Sequence, residues 1–123
     1  MKLFCQLILA LSIVAVANAQ QHLPCKNNPK VVAQCFKIHG RVRVGNGIGM
    51  TIWRIGTERV LAVGDADIII PDNLSDAVFG KGDIYSRDVF GDFEVCPFTR
   101  SIEGEMQWVC VESASRLVVR DRK

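Results

Sequence analysis

The stretch that decides the fold is Phe36-Lys37-Ile38-His39-Gly40-Arg41-Val42-Arg43-Val44. Apolar Phe36, Ile38, Val42 and Val44 alternate with polar Lys37, His39, Arg41 and Arg43. A period of two is the signature of a strand with one buried face and one wet face. Gly45-Asn46-Gly47 follows at once, and Asn and Gly accept the positive φ that tight hairpin turns require. The stretch therefore reads as the first arm of a β-hairpin, and residues 48–55 read as the second.

Working outward, Gly56-Thr57-Glu58 turns the chain into a third strand at residues 59–63. The Ile-rich run 66–71 reads as a fourth, doubly buried strand. Residues 72–87 carry loop chemistry, with one helical turn near 74–79. Strand periodicity returns over 88–98, where Val89, Phe93 and Val95 share a face. Two last strands are expected at 106–112 and 116–120, and convincing helical periodicity is absent after the leader. About seven short strands at regular spacing predict an all-β fold. The expected form is a small antiparallel β-sandwich or a small closed barrel.

On the N-terminal side, residues 20–35 read as a polar arm shaped by Pro24, Asn27-Asn28 and Pro29. Before it, Lys2 precedes an apolar run over residues 3–16, and Ala17-Asn18-Ala19 follows. A positive start, an apolar centre and small residues at the cleavage site are read by the export machinery. Residues 1–19 are therefore expected to be a signal peptide. The run is shorter than the roughly 20 apolar residues of a membrane span, and later residues carry no candidate span. The expected organisation is signal peptide 1–19, arm 20–35 and β domain 36–123, in a secreted or periplasmic protein.

Export governs the reading of the cysteines. Cys5 leaves with the leader, and Cys25, Cys35, Cys96 and Cys110 remain. An even set in a small exported domain reads as two disulfides. Three pairings are open, and sequence proximity favours Cys25–Cys35 with Cys96–Cys110. C-x-x-C is absent and the spacings match no zinc signature, so neither a structural metal nor a redox role is expected.

The chain has 15 Lys and Arg against 13 Asp and Glu. Losing Lys2 leaves a net charge near +1, too weak a field to indicate a nucleic-acid partner. The charge is nevertheless unevenly spread. From Lys26 to Arg59 there are seven basic groups and one acid, whereas Asp65 to Glu94 holds eight acids against Lys81 and Arg87. Alternation places Lys37, His39, Arg41 and Arg43 on one face. With Arg54 and Arg59 beside them they would form a patch for a polyanionic glycan or a protein partner. The competing expectation is a solvated face whose cations pair with the acidic segment.

Other chemistry is thin. Asp92 and Glu94 point to one face of a strand and could serve a carboxylate-based hydrolase. The histidines His22 and His39 lack a G-x-S-x-G nucleophile elbow to serve. Asp65, Asp67, Asp72 and Asp76 could supply oxygens to calcium, although an EF-hand pattern is absent. Trp53, Trp108 and Tyr85 could stack on sugars, but core packing is the expectation for the tryptophans. Asn73-Leu74-Ser75 is a glycosylation sequon. No catalytic residue, metal or cofactor is expected.

Two resemblances bear on this reading. His39-Gly40-Arg41, Gly45-Asn46-Gly47, Ile52-Trp53-Arg54-Ile55-Gly56-Thr57 and Gly91-Asp92-Phe93-Glu94-Val95-Cys96-Pro97 resemble small exported bacterial proteins of uncharacterised function. That likeness covers most of the chain after the leader and implies no activity. Gly40-Arg41-Val42 and Phe90-Gly91-Asp92-Phe93 are similar to carboxypeptidase regulatory-like (transthyretin-type) sandwiches. That second likeness implies a non-catalytic accessory domain. The function expected is an exported β protein that binds an envelope or extracellular partner. The alternatives are a hydrolase and a purely structural module.

Overall fold

The computed structural model describes residues 24–64 and 70–122. The expected signal peptide, His22, Asp65, Asp67 and most of the expected strand 66–71 lie outside the described residues. The elements are β1 (Phe36–Gly45), β2 (Gly49–Arg54), β3 (Val60–Val63), α1 (Asp72–Phe79), β4 (Arg87–Pro97) and β5 (Gln107–Asp121). Short 3₁₀ turns stand at Cys25–Asn27 and Ile84–Ser86. Among the described residues no helix is long and apolar enough to cross a membrane.

The protein is mostly strand, as expected, but among the described residues it has five strands rather than about seven and forms the closed barrel, not the sandwich. Five strands form one sheet closed in the order β1-β2-β3-β5-β4. The closing strand is β1. Phe36 to Val42 pairs antiparallel with β4, while Gly40 to Gly45 pairs antiparallel with β2. One long strand thus serves two neighbours in succession, which curls the sheet until its edges meet. The other seam is the parallel pairing of β3 with β5, with Ala62 opposite Trp108.

Closure demands close approach at one place. Gly40 and Gly91 face each other across β1 and β4. A Cβ on Gly40 would lie 2.6 Å from Ile52 Cγ2 and 3.1 Å from Trp53 O. One on Gly91 would lie 2.6 Å from Leu117 Cδ2 and 3.0 Å from Ser115 O. The ring of Phe93, fully buried, fills the space left beside both glycines.

Inside the barrel, Ile38, Val42, Ile52, Leu61, Val63, Val89, Phe93, Val95, Val109 and Val111 form the core with Leu74 and Val78 of α1. Leu74 and Val78 are four apart and so lie on one helix face. The helix exceeds the single turn expected from sequence because its C-terminus is capped from afar. Arg87, 7% exposed, donates to the carbonyls of Val78 and Gly80, each at 3.2 Å, and to that of Lys81. A guanidinium there satisfies the carbonyls that a helix end leaves free.

Two further corrections concern the strands and the cystines. The expected strands 106–112 and 116–120 are one strand, β5, bent but not interrupted. Its pairing with β4 shifts register between Phe90 and Asp92 and again between Glu94 and Val95. The extra residues of β5 fall on either side of Ser113-Ala114-Ser115, which itself pairs regularly with Glu94 to Asp92, and each bulge shifts the apolar alternation so that the sequence reads as a gap. The disulfides are Cys25–Cys110 and Cys35–Cys96, not the local pairs. Cys96 and Cys110 do stand opposite each other on β4 and β5. The arm crosses this ribbon, with Val32 N–H donating to Pro97 O at 2.9 Å, and its cysteines fall over the two strands. Sequence separations of 85 and 61 residues correspond to roughly 4 kcal/mol each in the chain-entropy account. A small second core of Cys25, Cys96, Cys110, Val31, Cys35 and Phe98 seals the arm to the barrel.

Replacing Gly40 with Ala is expected to destabilise the fold by about 1–3 kcal/mol through overpacking against Ile52 and the Trp53 carbonyl. Urea unfolding measures this, and an unchanged midpoint would show that the barrel does not need the close approach.

Candidate functional site

The polar face of β1 is where the sequence placed a basic patch, and alternation does point Lys37, His39, Arg41 and Arg43 outward. Barrel closure, however, sets β4 beside them. Lys37 stands opposite Glu94, His39 opposite Asp92 and Arg41 opposite Phe90. The acids counted as a separate segment are therefore the immediate neighbours of the cations.

Contacts follow the register. His39 Nδ1 lies 2.8 Å from Asp92 Oδ1. Arg43 holds Asp88 with two bonds, Nε to Oδ1 at 2.6 Å and a terminal nitrogen to Oδ2 at 3.0 Å. Arg122 adds a third contact to Asp88 at 3.1 Å. Lys26, from the arm, reaches Glu94 at 2.8 Å. The hydrogen bond from Arg43 holds the Asp88 carboxyl below its ordinary pKa, against the opposing effect of burial. The bond from Lys26 does the same for the half-buried Glu94.

Arg41 is the exception on this face. Its neighbour on β4 is an aromatic ring, and its guanidinium lies 4.7 Å from the centroid of the Trp53 ring on β2. The Nε is buried and has no hydrogen-bond partner. Burial, followed by the charge of Arg43, shifts its pKa downward. Guanidinium over an indole face is favourable, and the buried Nε is left without an acceptor.

The row continues past Arg41. Phe90, Arg41, Trp53 and Val60 are successive register partners across β4, β1, β2 and β3. In the next row Arg43, Thr51, Ala62 and Trp108 are aligned. Trp53 is pinned by its indole N–H donating to Thr57 O at 2.7 Å. Val60, Met106 and Trp108 are 37%, 41% and 39% exposed. The tryptophans are thus surface residues of one aromatic and apolar platform, not core, because Val109 and Val111 take the inward positions around Trp108. Tyr85 stands apart in the Ile84–Ser86 turn. Arg54, assigned to the patch from sequence, lies at the exposed end of β2 on the parity opposite to Trp53 and is not on this face. Arg59 instead donates to Gln107 at 3.2 Å.

On the other side of β1 a groove of about 510 Å³ runs over β4 and β5. Asp92 and Glu94 both line it, together with Lys37, His39, Ser113, Ser115 and Arg116. His39, Asp92 and Ser115 are aligned across the three strands, but the carboxylate is in the middle. A nucleophilic triad needs the imidazole there.

Metal ligation finds one grouping among the described residues, Cys25, Cys96 and Glu112. Both sulfurs are spent in disulfides, and a thiolate is the ligand form. Asp72 and Asp76 lie on α1, while Asp65 and Asp67 lie outside the described residues. The sequon Asn73 sits in α1 with its side-chain amide donating to Ala114 O at 2.6 Å and with Leu74 fully buried. No protein-family model, curated protein or solved structure matches this chain.

A carboxyl whose pKa is lower folded than unfolded stabilises the fold fully above its unfolded value of about 3.9 and loses that contribution as pH falls through the folded value. For Asp88 the expectation is an acid-labile contribution fading below about pH 4. Asp88→Asn should cost about 1.5–3 kcal/mol at neutral pH and flatten the acid limb of the urea-midpoint profile. Parallel profiles for the two proteins would show that the Arg43 pair contributes nothing.

Proposed function

We propose that the protein is an exported, non-catalytic binding module of the envelope or extracellular space. Its partner docks on the platform formed by Arg41, Trp53, Val60, Met106 and Trp108. The observation that carries this reading is Arg41. Every other cation on the outer face of β1 has a carboxylate neighbour, whereas Arg41 stands opposite Phe90 with its guanidinium over the Trp53 ring and its Nε unpartnered. A guanidinium at the centre of an apolar and aromatic platform suits a partner presenting an anionic group beside an apolar or sugar face. A polyanionic glycan and an acidic protein loop both meet that description.

Two supports come from elsewhere. Two disulfides suggest an oxidising compartment, in keeping with the leader read at residues 1–19. The strand order, with a helix between β3 and β4, has the connectivity of an OB-fold. Such barrels bind oligosaccharides and oligonucleotides on the face of strands two and three; this is analogy of fold, and the site must carry the function. The near-neutral charge argues against nucleic acid.

A hydrolase reading is favoured by one observation, the shared groove of Asp92 and Glu94. It is opposed by the setting of Glu94 and by the cations around Asp92. A general acid must hold a proton near neutrality, while Lys26 keeps Glu94 ionised and His39 and Arg116 flank Asp92.

Retention on a heparin-type column at low salt tests the platform. Arg41→Gln and Arg54→Gln remove the same charge, but only Arg41 is on the platform. Arg41→Gln and Trp53→Ala are expected to elute at clearly lower salt than the native protein, and Arg54→Gln close to it. Equal losses for the two arginine variants would sink the platform reading, and absence of retention would favour the structural module.

A further inference from the structure

The groove over β1, β4 and β5 shares no residue with the Arg41–Trp53 platform and runs from β1 in the other direction. Three features set it apart from an ordinary wet sheet face. First, its volume of about 510 Å³ lies within the range of small-ligand sites, roughly 300–1,000 Å³. Second, both register shifts between β4 and β5 fall along it. Bulges of this kind bend a strand and re-aim side chains, and they are frequent beside binding and active sites.

Third, Arg116 at its rim has φ 53°. That left-handed conformation is unfavourable for any residue with a Cβ and free of strain for glycine. The side chain is 87% exposed, so burial gives no reason for an arginine there. Its Nε stands 3.7 Å from Asp92 Oδ2, too far for a hydrogen bond. A strained backbone thus presents a guanidinium whose donors are still available.

The lining is a mixture that discriminates between ligand classes. Lys37 and Arg116 offer cationic donors, Asp92 and Glu94 offer charged acceptors, and Ser113 and Ser115 offer hydroxyls. A phosphate monoester, close to a dianion at neutral pH, would be repelled by the two carboxylates more strongly than a monoanionic carboxylate. A neutral sugar would leave the two cations without work. A saccharide with one carboxylate on each sugar unit uses all of them: its carboxylates meet Arg116 and Lys37, and its hydroxyls donate to Asp92 and Glu94. We propose that this groove binds an acidic saccharide of the uronic-acid class.

The test is amide NMR titration of the native protein with tetragalacturonate, with tetramannuronate, and with the fully methyl-esterified galacturonate tetramer. The ester keeps the hydroxyls and loses the charge. At least one uronate is expected to shift the amides of His39, Asp92 and Ser113 to Arg116, with the ester at least about ten-fold weaker. Arg116→Gly is expected to abolish the shifts while Tm holds or rises, because the left-handed residue is relieved. Arg116→Asn, which also tolerates this conformation, serves as a second variant. Arg41→Gln is expected to bind the uronate like the native protein, which separates this site from the platform. The proposal is overturned if neither uronate shifts these amides at about 10 mM. Equal binding of ester and acid overturns it, as does native-like binding by Arg116→Gly and Arg116→Asn. A fall in Tm in both variants would assign Arg116 to the fold.

Discussion

Gly40 lies against Gly91, and everything else in the molecule is arranged around that contact. Only residues without a Cβ let β1 lie this close to Ile52 and Trp53 of β2, and β4 this close to Ser115 and Leu117 of β5. Phe93 fills the space beside them and anchors the core. Closure then sets the surface chemistry. With Gly40 opposite Gly91, the outward positions of β1 fall beside Glu94, Asp92 and Phe90 in turn. One alternating strand of cations is thereby sorted into members that stand beside carboxylates and one, Arg41, that stands beside aromatic rings. The same register opens the groove on the far side, where β5 must bulge to follow β4 around the bend.

Local patterns were legible in the sequence. Alternation found β1, the Gly45-Asn46-Gly47 turn marked the hairpin, and Gly47 does take a positive φ. The existence of two disulfides was expected from the even count of four cysteines after residue 19. Outcomes that depend on distant partners were not legible. The arm's cysteines are ten residues apart in the chain, yet the arm runs across the β4–β5 ribbon and each meets a different strand. Ser113-Ala114-Ser115 reads as a break because the bulges on either side of it shift the alternation that marks a strand. Helix α1 is short and weakly patterned, and the Arg87 cap that completes it comes from β4.

The site was half legible for the same reason. Sequence alternation found the four outward cations of β1, but which of them stand beside carboxylates depends on β4, some fifty residues downstream. The tryptophans were expected in the core because a cystine lies nearby. In the barrel the cystines belong to a second, outer core under the arm, and the inward positions of β5 go to valines. The two glycine-containing strings that resemble sandwich domains, Gly40-Arg41-Val42 and Phe90-Gly91-Asp92-Phe93, meet each other at the closing seam.

The measurement that bears most directly on closure is a backbone NOE map of the native protein. A closed barrel requires cross-strand contacts at both seams of one molecule, around Gly40–Gly91 between β1 and β4 and around Ala62–Trp108 between β3 and β5. Finding both sets confirms the register on which the sorting of charges depends. A map with strong contacts within two separate sheets and none at one of these seams would contradict it.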